Sequence, residues 1–232
     1  VAKSGTALVV FSGGQDSTTC LFWALERFAV VHCLTFDYGQ RHRVEIGSAR
    51  KIAELAAVSH EVIDMGPIFA GISPLTDLSK KVEKYASADR LPGGLESTFV
   101  PGRNILFLTV AANRAYVLKA DNLVLGVAQE DYGGYPDCRQ DFIEKMEAAL
   151  SSGLDKPLKL LTPLMNLTKR ETVDLARTLP GCIDALAHSM TCYEGVVPPC
   201  LKCHSCLLRA RGFAEAGIAD PLLERLKTGA IA

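Results

Sequence analysis

Phe11-Ser12-Gly13-Gly14-Gln15-Asp16-Ser17-Thr18-Thr19-Cys20 follows the apolar run Ala7-Leu8-Val9-Val10-Phe11 and opens a segment of helical character. Adjacent glycines can take positive φ, which turns consecutive N–H groups into one concavity, and the free N–H groups of the following helix start point the same way. The stretch therefore reads as a phosphate cradle at a strand-to-helix turn. Ser12, Ser17 and Thr18 would add hydroxyl donors at its rim. Asp16 cannot bind phosphate directly and suits a magnesium ion bridging phosphate oxygens. An ordinary Gly-Gly turn, capped by Asp16 or Ser17, is the alternative that two glycines alone would leave open. The full Ser-Gly-Gly-x-Asp-Ser string is more specific, and it lacks the Gly-Lys-Ser/Thr ending of a Walker loop.

Outward from this loop, apolar β-rich runs recur at 7–11, 29–36, 60–65 and 122–128, alternating with helical periodicity near 16–28, 42–57, 103–119 and 138–152. Such alternation predicts an α/β fold, a doubly wound and mostly parallel sheet. In that fold ligands bind beyond the carboxyl ends of the strands, which is where the loop at 12–17 falls. Residues 66–102 are richer in Gly, Pro and polar residues, and predict a mobile lid or substrate loop. Further on, Thr168 and Glu171 have the spacing of a capping box, placing Lys169 in the first turn of a helix. A cation there opposes the helix macrodipole unless an anion is nearby. On pattern alone Lys169 reads as a solvent-exposed lysine.

The chain has 232 residues, 48% of them hydrophobic, and a formal net charge of −1, enough for one α/β domain with a small appendage. The charge balance argues against tight non-specific nucleic-acid binding. No membrane span or signal sequence is recognisable, so the expectation is a cytoplasmic protein.

Eight cysteines in such a chain do not suggest a disulfide framework. Cys192, Cys200, Cys203 and Cys206 form C-x7-C-x2-C-x2-C, and four thiolates at this spacing can close a tetrahedron around zinc. Pro198 and Pro199 stiffen the approach to the last three. A closed four-cysteine site is structural, stapling a segment too short to build its own core. An iron–sulfur cluster and redox-active thiols are the alternatives, and His204 could replace one cysteine. Cys20, Cys33, Cys138 and Cys182 lie in or beside apolar runs and read as small core residues.

The loop string resembles the PP-loop of the N-type ATP pyrophosphatases. Together with Val100-Pro101-Gly102-Arg103-Asn104, Tyr135-Pro136-Asp137-Cys138-Arg139, Ser189-Met190-Thr191-Cys192 and the cysteine spacing, it makes the chain similar to the 7-cyano-7-deazaguanine synthase family from residue 7 to about 217. The resemblance implies an adenine nucleotide α-hydrolase-like domain over 1–185 and a zinc-binding helical subregion over 186–232. It implies a carbon–nitrogen ligase that turns 7-carboxy-7-deazaguanine and ammonia into the nitrile preQ0, in queuosine biosynthesis, through acyl-adenylate and amide intermediates, releasing AMP and pyrophosphate. ATP, Mg2+ and structural Zn2+ are implied, with ATP on Phe11, Ser12, Gly13, Gly14, Gln15, Asp16, Ser17, Thr18, Thr19, Cys20 and Leu21. Ser12, Asp16, Ser17, Arg103 and Lys169 would be catalytic, the last two neutralising charge on the α-phosphate and departing pyrophosphate. Arg103, between Pro-Gly and an apolar helix, could equally be a surface arginine beside a turn.

A deazaguanine presents two N–H donors along one edge and a π face. Asp137 could accept the first, Tyr132, Tyr135 or Phe99 could stack on the second, and Arg139 could hold the carboxylate. Asp137 as the N-cap of its own following helix explains its position equally well. The partners implied are small molecules, with no nucleic acid or membrane, in a homodimer. A PP-loop tRNA thiolase is the competing reading. It would need uncommitted catalytic cysteines and a basic RNA surface.

Overall fold

The computed structural model describes residues 2–92, 94–129 and 135–229. Five parallel strands, β1 (Thr6–Val10), β2 (Val30–Asp37), β3 (Ser59–Asp64), β4 (Asn122–Leu125) and β5 (Lys159–Leu161), form one sheet in the order β3-β2-β1-β4-β5. The register pairs Val10 with Leu34 on one side of β1 and with Leu125 on the other. This is the doubly wound parallel sheet expected. Strand order reverses between β1 and β4, and such a switch point leaves a crevice at the carboxyl ends of the two strands.

Helices α1 (Gln15–Leu25), α2 (Val44–Leu55), α3 (Arg103–Leu118), α4 (Gln140–Gly153) and α5 (Lys169–Thr178) are followed by α6 (Cys182–Leu186), α7 (His204–Glu215) and α8 (Pro221–Lys227). One apolar core, with Val9, Phe11, Leu21, Ile52 and Leu186, covers one sheet face, and a second, with Leu8, Leu34, Leu108 and Leu123, covers the other. Sheet faces alternate along a strand, so Leu8 and Val9 enter opposite cores. Phe213 of α7 joins the first core, so the C-terminal region packs directly on the domain before it. Gly212 marks the contact: a Cβ there would lie 2.8 Å from the Cβ of Lys169.

The run at 122–128 stops being strand at Leu125 because Gly126 turns in against the first loop. A Cβ on Gly126 would lie 2.9 Å from the Ser17 nitrogen and 3.0 Å from the Asp16 carbonyl carbon. The described residues of 66–102 are irregular apart from a short 3-10 turn at Ala88–Arg90. They are nonetheless packed, with Phe69, Leu75 and Val100 in the second core. Arg41 fastens this segment through the carbonyls of Pro74 at 2.9 Å and Lys80 at 2.5 Å. Buried apolar side chains therefore pin this segment to the second core.

Candidate active site

β1 delivers Phe11 to the crevice, where its N–H bonds the Leu34 carbonyl at 2.8 Å and its carbonyl accepts from the Thr35 hydroxyl. The chain then turns at Gly13, whose φ of 86° lies in the left-handed region. A Cβ at this position would stand 2.5 Å from both the Ala49 nitrogen and the Glu45 carbonyl oxygen, so α2 closes on bare backbone. Within the turn the Gly14 N–H donates to the Ser12 hydroxyl at 3.1 Å, the Ser12 N–H donates to the Ser17 hydroxyl at 3.2 Å, and the two hydroxyls lie 3.1 Å apart. The Met190 N–H closes on the Gly13 carbonyl at 3.0 Å. The loop is thus held in shape by its own hydrogen bonds.

Asp16, in the first turn of α1, and Lys169, at the start of α5, meet across the cradle with Nζ–Oδ distances of 2.8 and 2.9 Å. Lys169 is 5% exposed. The capping box forms as the spacing predicts, with the Thr168 hydroxyl accepting from the Glu171 N–H at 3.2 Å and the Glu171 carboxylate accepting from the Thr168 N–H at 2.9 Å. The anion that would offset a lysine at a helix start is therefore Asp16. A solvent-exposed Lys169 is corrected.

Phe11, Ser12, Gly14, Gln15, Asp16 and Ser17 line one wall of a cavity of about 230 Å3. Thr18, Thr19, Cys20 and Leu21 do not: the Thr18 and Thr19 hydroxyls bond back to the Gly14 and Gln15 carbonyls, and Cys20 and Leu21 face the first core. Aromatic rings line the same cavity. Phe36 and Phe107 stack at 4.2 Å and 17°, and Tyr38 stands across Phe107 at 5.2 Å. Arg103, Asn104, Tyr135, Cys138 and Tyr193 complete it, with His42 and Glu45 from the approach to α2 and its first turn.

Arg103 follows Gly102, which has a φ of 76°, and is hydrogen-bonded to the Tyr38 phenol. Burial raises that phenol above its ordinary range, so its oxygen accepts from Arg103 as a neutral group. Asp137 is buried but does not line the cavity: its carboxylate accepts from the Asn104 N–H at 3.4 Å and so caps α3 from outside, rather than its own following helix. Desolvation raises its pKa, partly offset by Arg103. Arg139 is exposed at the N-cap of α4, and Phe99 packs against Tyr135 at 5.5 Å rather than into the cavity. Tyr132 lies outside the described residues.

Sequence reasoning missed Glu45, His42, Tyr38, the Phe36–Phe107 pair and Gly126. For Gly126 a signal was present, a glycine just after a strand; Glu45 read simply as the polar face of an amphipathic helix.

The sulfurs of Cys192, Cys200, Cys203 and Cys206 all lie within 4.8 Å of one another, close enough to surround one metal ion. The Cys200 N–H donates to the Cys192 sulfur at 3.4 Å and the Cys203 N–H to the Cys200 sulfur at 3.3 Å. The donor set therefore fits a soft tetrahedral ion. His204 turns away to Glu96, 3.0 Å from its carboxylate, and takes no place in the set. Cys20, Cys33, Cys138 and Cys182 are buried free thiols.

The sequence model of the family described as queuosine biosynthesis protein QueC matches residues 6–217. A 7-cyano-7-deazaguanine synthase of Chromobacterium violaceum is 55% identical over 99% of this chain and 97% of its own, and one of Laribacter hongkongensis is 54% identical over 95% of each. Among solved structures, a predicted subunit of a tRNA methyltransferase from Methanocaldococcus jannaschii is similar at 18% identity and a TM-score of 0.49, over 75% of this chain and 74% of that one. With a match that spans the phosphate loop, the cavity walls and the cysteine cluster alike, the chain belongs to the queuosine biosynthesis protein QueC family.

Proposed function

We propose that the protein converts 7-carboxy-7-deazaguanine, ammonia and ATP into 7-cyano-7-deazaguanine. The observation that carries this reading is a glycine turn of the kind that cradles phosphate and a set of aromatic rings lining one and the same cavity. Turning a carboxylate into a nitrile removes two oxygens, each a poor leaving group until joined to AMP. The acid oxygen attacks the α-phosphorus of ATP and pyrophosphate departs; ammonia displaces AMP and gives the amide. The amide oxygen then attacks the α-phosphorus of a second ATP and pyrophosphate departs, and loss of AMP together with both protons from nitrogen leaves the nitrile.

Ser12, Gly13, Gly14 and Ser17 hold phosphate in this reading, and Arg103 and Lys169 stabilise charge that develops during each displacement. Asp16 would hold a Mg2+ ion, which would supply positive charge beside the phosphates, and Lys169, on the same carboxylate at 2.8 and 2.9 Å, would add to that charge. The base lies against Phe36, Phe107 or Tyr135. Zn2+ at the four cysteines is structural, because four protein thiolates leave no open position. Residues 1–185 form the adenylating domain and 186–232 the zinc-stapled subregion. The same reading takes the protein as a cytoplasmic homodimer acting on small molecules; no described helix is long and apolar enough to cross a membrane.

The test is incubation with 7-carboxy-7-deazaguanine, ammonium and Mg-ATP, followed by mass spectrometry. A product one water lighter than the amide, with AMP and pyrophosphate, is expected. AMP formation only with tRNA and a sulfur donor would overturn the reading in favour of a thiolase.

A further inference from the structure

Ammonium must lose a proton before its nitrogen can attack, and the cavity holds a group placed to take it. Among the described residues lining the cavity, the carboxylates are Asp16 and Glu45. Asp16 is bound by Lys169 through both oxygens. Glu45 touches no lysine or arginine as an ion pair; its side chain, 12% exposed, lies 3.3 Å from His42 Nε2. It also takes a hydrogen bond from Gln40, which is itself fixed by the Tyr38 N–H at 2.9 Å and the Phe36 carbonyl at 3.1 Å. The Glu45 backbone packs on Gly13, so this carboxylate is anchored directly to the phosphate loop.

The titratable and charged groups coupled to Glu45 are His42 from the approach to α2, Tyr38 just after β2 and Arg103 from α3, with Gln40 as a neutral donor; Tyr193, from beside the cysteine cluster, lines the same cavity. Burial keeps His42 neutral, so its Nε2–H can donate to Glu45, and its buried Nδ1 then has no hydrogen-bond partner.

Resting on the reading above, we propose that Glu45 is the proton acceptor for ammonium in amide formation and that His42 is its positioning residue. In the molecules in which Glu45 is ionised, the ammonium N–H bond breaks and its proton passes to the Glu45 carboxylate. The freed lone pair attacks the acyl carbon, a C–N bond forms, the C–O bond to AMP breaks with its electron pair on the phosphate oxygen, and the second proton lost from nitrogen goes to water. An ordinary glutamate is too weak a base for ammonium, whereas burial raises Glu45 to about 8, against the opposing pull of Arg103 and Gln40. The matching of base to substrate therefore comes from the same burial that fixes the side chain.

The experiment compares wild-type protein with Glu45→Gln in acid-dependent ATP–pyrophosphate exchange and in amide formation from ammonium or hydroxylamine, which is largely unprotonated at neutral pH. Exchange should persist, ammonium capture at neutral pH should fall about a hundredfold, and hydroxylamine capture should be retained. Raising the pH, which supplies free ammonia, should restore the variant. Unchanged ammonium capture, or equal loss with both nucleophiles, would overturn the proposal. If Glu45→Gln lacks exchange because it does not fold, Glu45→Asp decides by the same comparison: ammonium-selective loss that alkaline pH repairs supports the role, and parallel loss overturns it. Absence of acid-dependent exchange in the wild-type protein would instead overturn the functional reading, and this inference with it.

Discussion

Lys169 is tied to the fold through Asp16, and in the proposed reading the same side chain serves the chemistry. Its ammonium is buried against Asp16 at 2.8 and 2.9 Å, and removing one member of such a pair leaves an uncompensated charge. Lys169→Met should lower the unfolding free energy by about 3 kcal/mol in urea titrations. The double variant Asp16→Asn, Lys169→Met should recover part of that loss while adenylation stays absent. Gly126 separates the two roles differently. Its missing side chain lets β4 approach the cradle, and Gly126→Ala would push a methyl group to 2.9 Å from the Ser17 nitrogen. Because that contact is backbone, the loop must shift; the KM for ATP should rise at least about tenfold with only a modest change in melting temperature.

Elements with a local signature were legible in the sequence, and those set by distant partners were not. The strand before the phosphate loop, the capping box of α5 and the cysteine spacing each depend on neighbouring residues, and all three are present. β5 has three residues, too few for a period, and exists because it pairs with β4. Asp137 illustrates the same limit within the site. Its sequence neighbours suggest a cap on the next helix, yet its carboxylate bonds the second residue of α3, thirty-three positions earlier. Asp137→Asn should therefore destabilise the protein by about 1 kcal/mol through α3. Hydrogen exchange would show faster exchange at Asn104, at the start of α3, than at the start of α4. The cysteine knot is likewise an element-scale device. Chelation should release α7 and α8 first, seen as loss of protection over 204–227, because Cys203 and Cys206 bracket the start of α7.

Across the whole molecule, burying titratable groups beside the cavity has a consequence for stability. Glu45 is raised from 4.5 to about 8 by burial, so between those values the folded protein holds a proton that the unfolded chain has lost, and stability falls as pH rises. His42 is lowered from 6.5 to about 3, first by burial and then by Arg103, so below 6.5 the unfolded chain binds the extra proton and stability falls as pH drops. The two oppose between pH 4.5 and 6.5. From pH 6.5 to 8 Glu45 acts without that opposition and should cost about 2 kcal/mol, measured by urea unfolding. Glu45→Gln should remove this alkaline decline.

The arrangement as a whole, one phosphate loop at one switch point, makes a single prediction about chemistry: the same cradle must remove both carboxylate oxygens. The direct measurement uses 7-carboxy-7-deazaguanine carrying oxygen-18 at both carboxylate positions, with mass spectrometry of the nucleotide products. Two AMP molecules per nitrile, each bearing one labelled oxygen, are predicted. Label in water, in pyrophosphate or in only one AMP per nitrile would contradict double adenylation at this site.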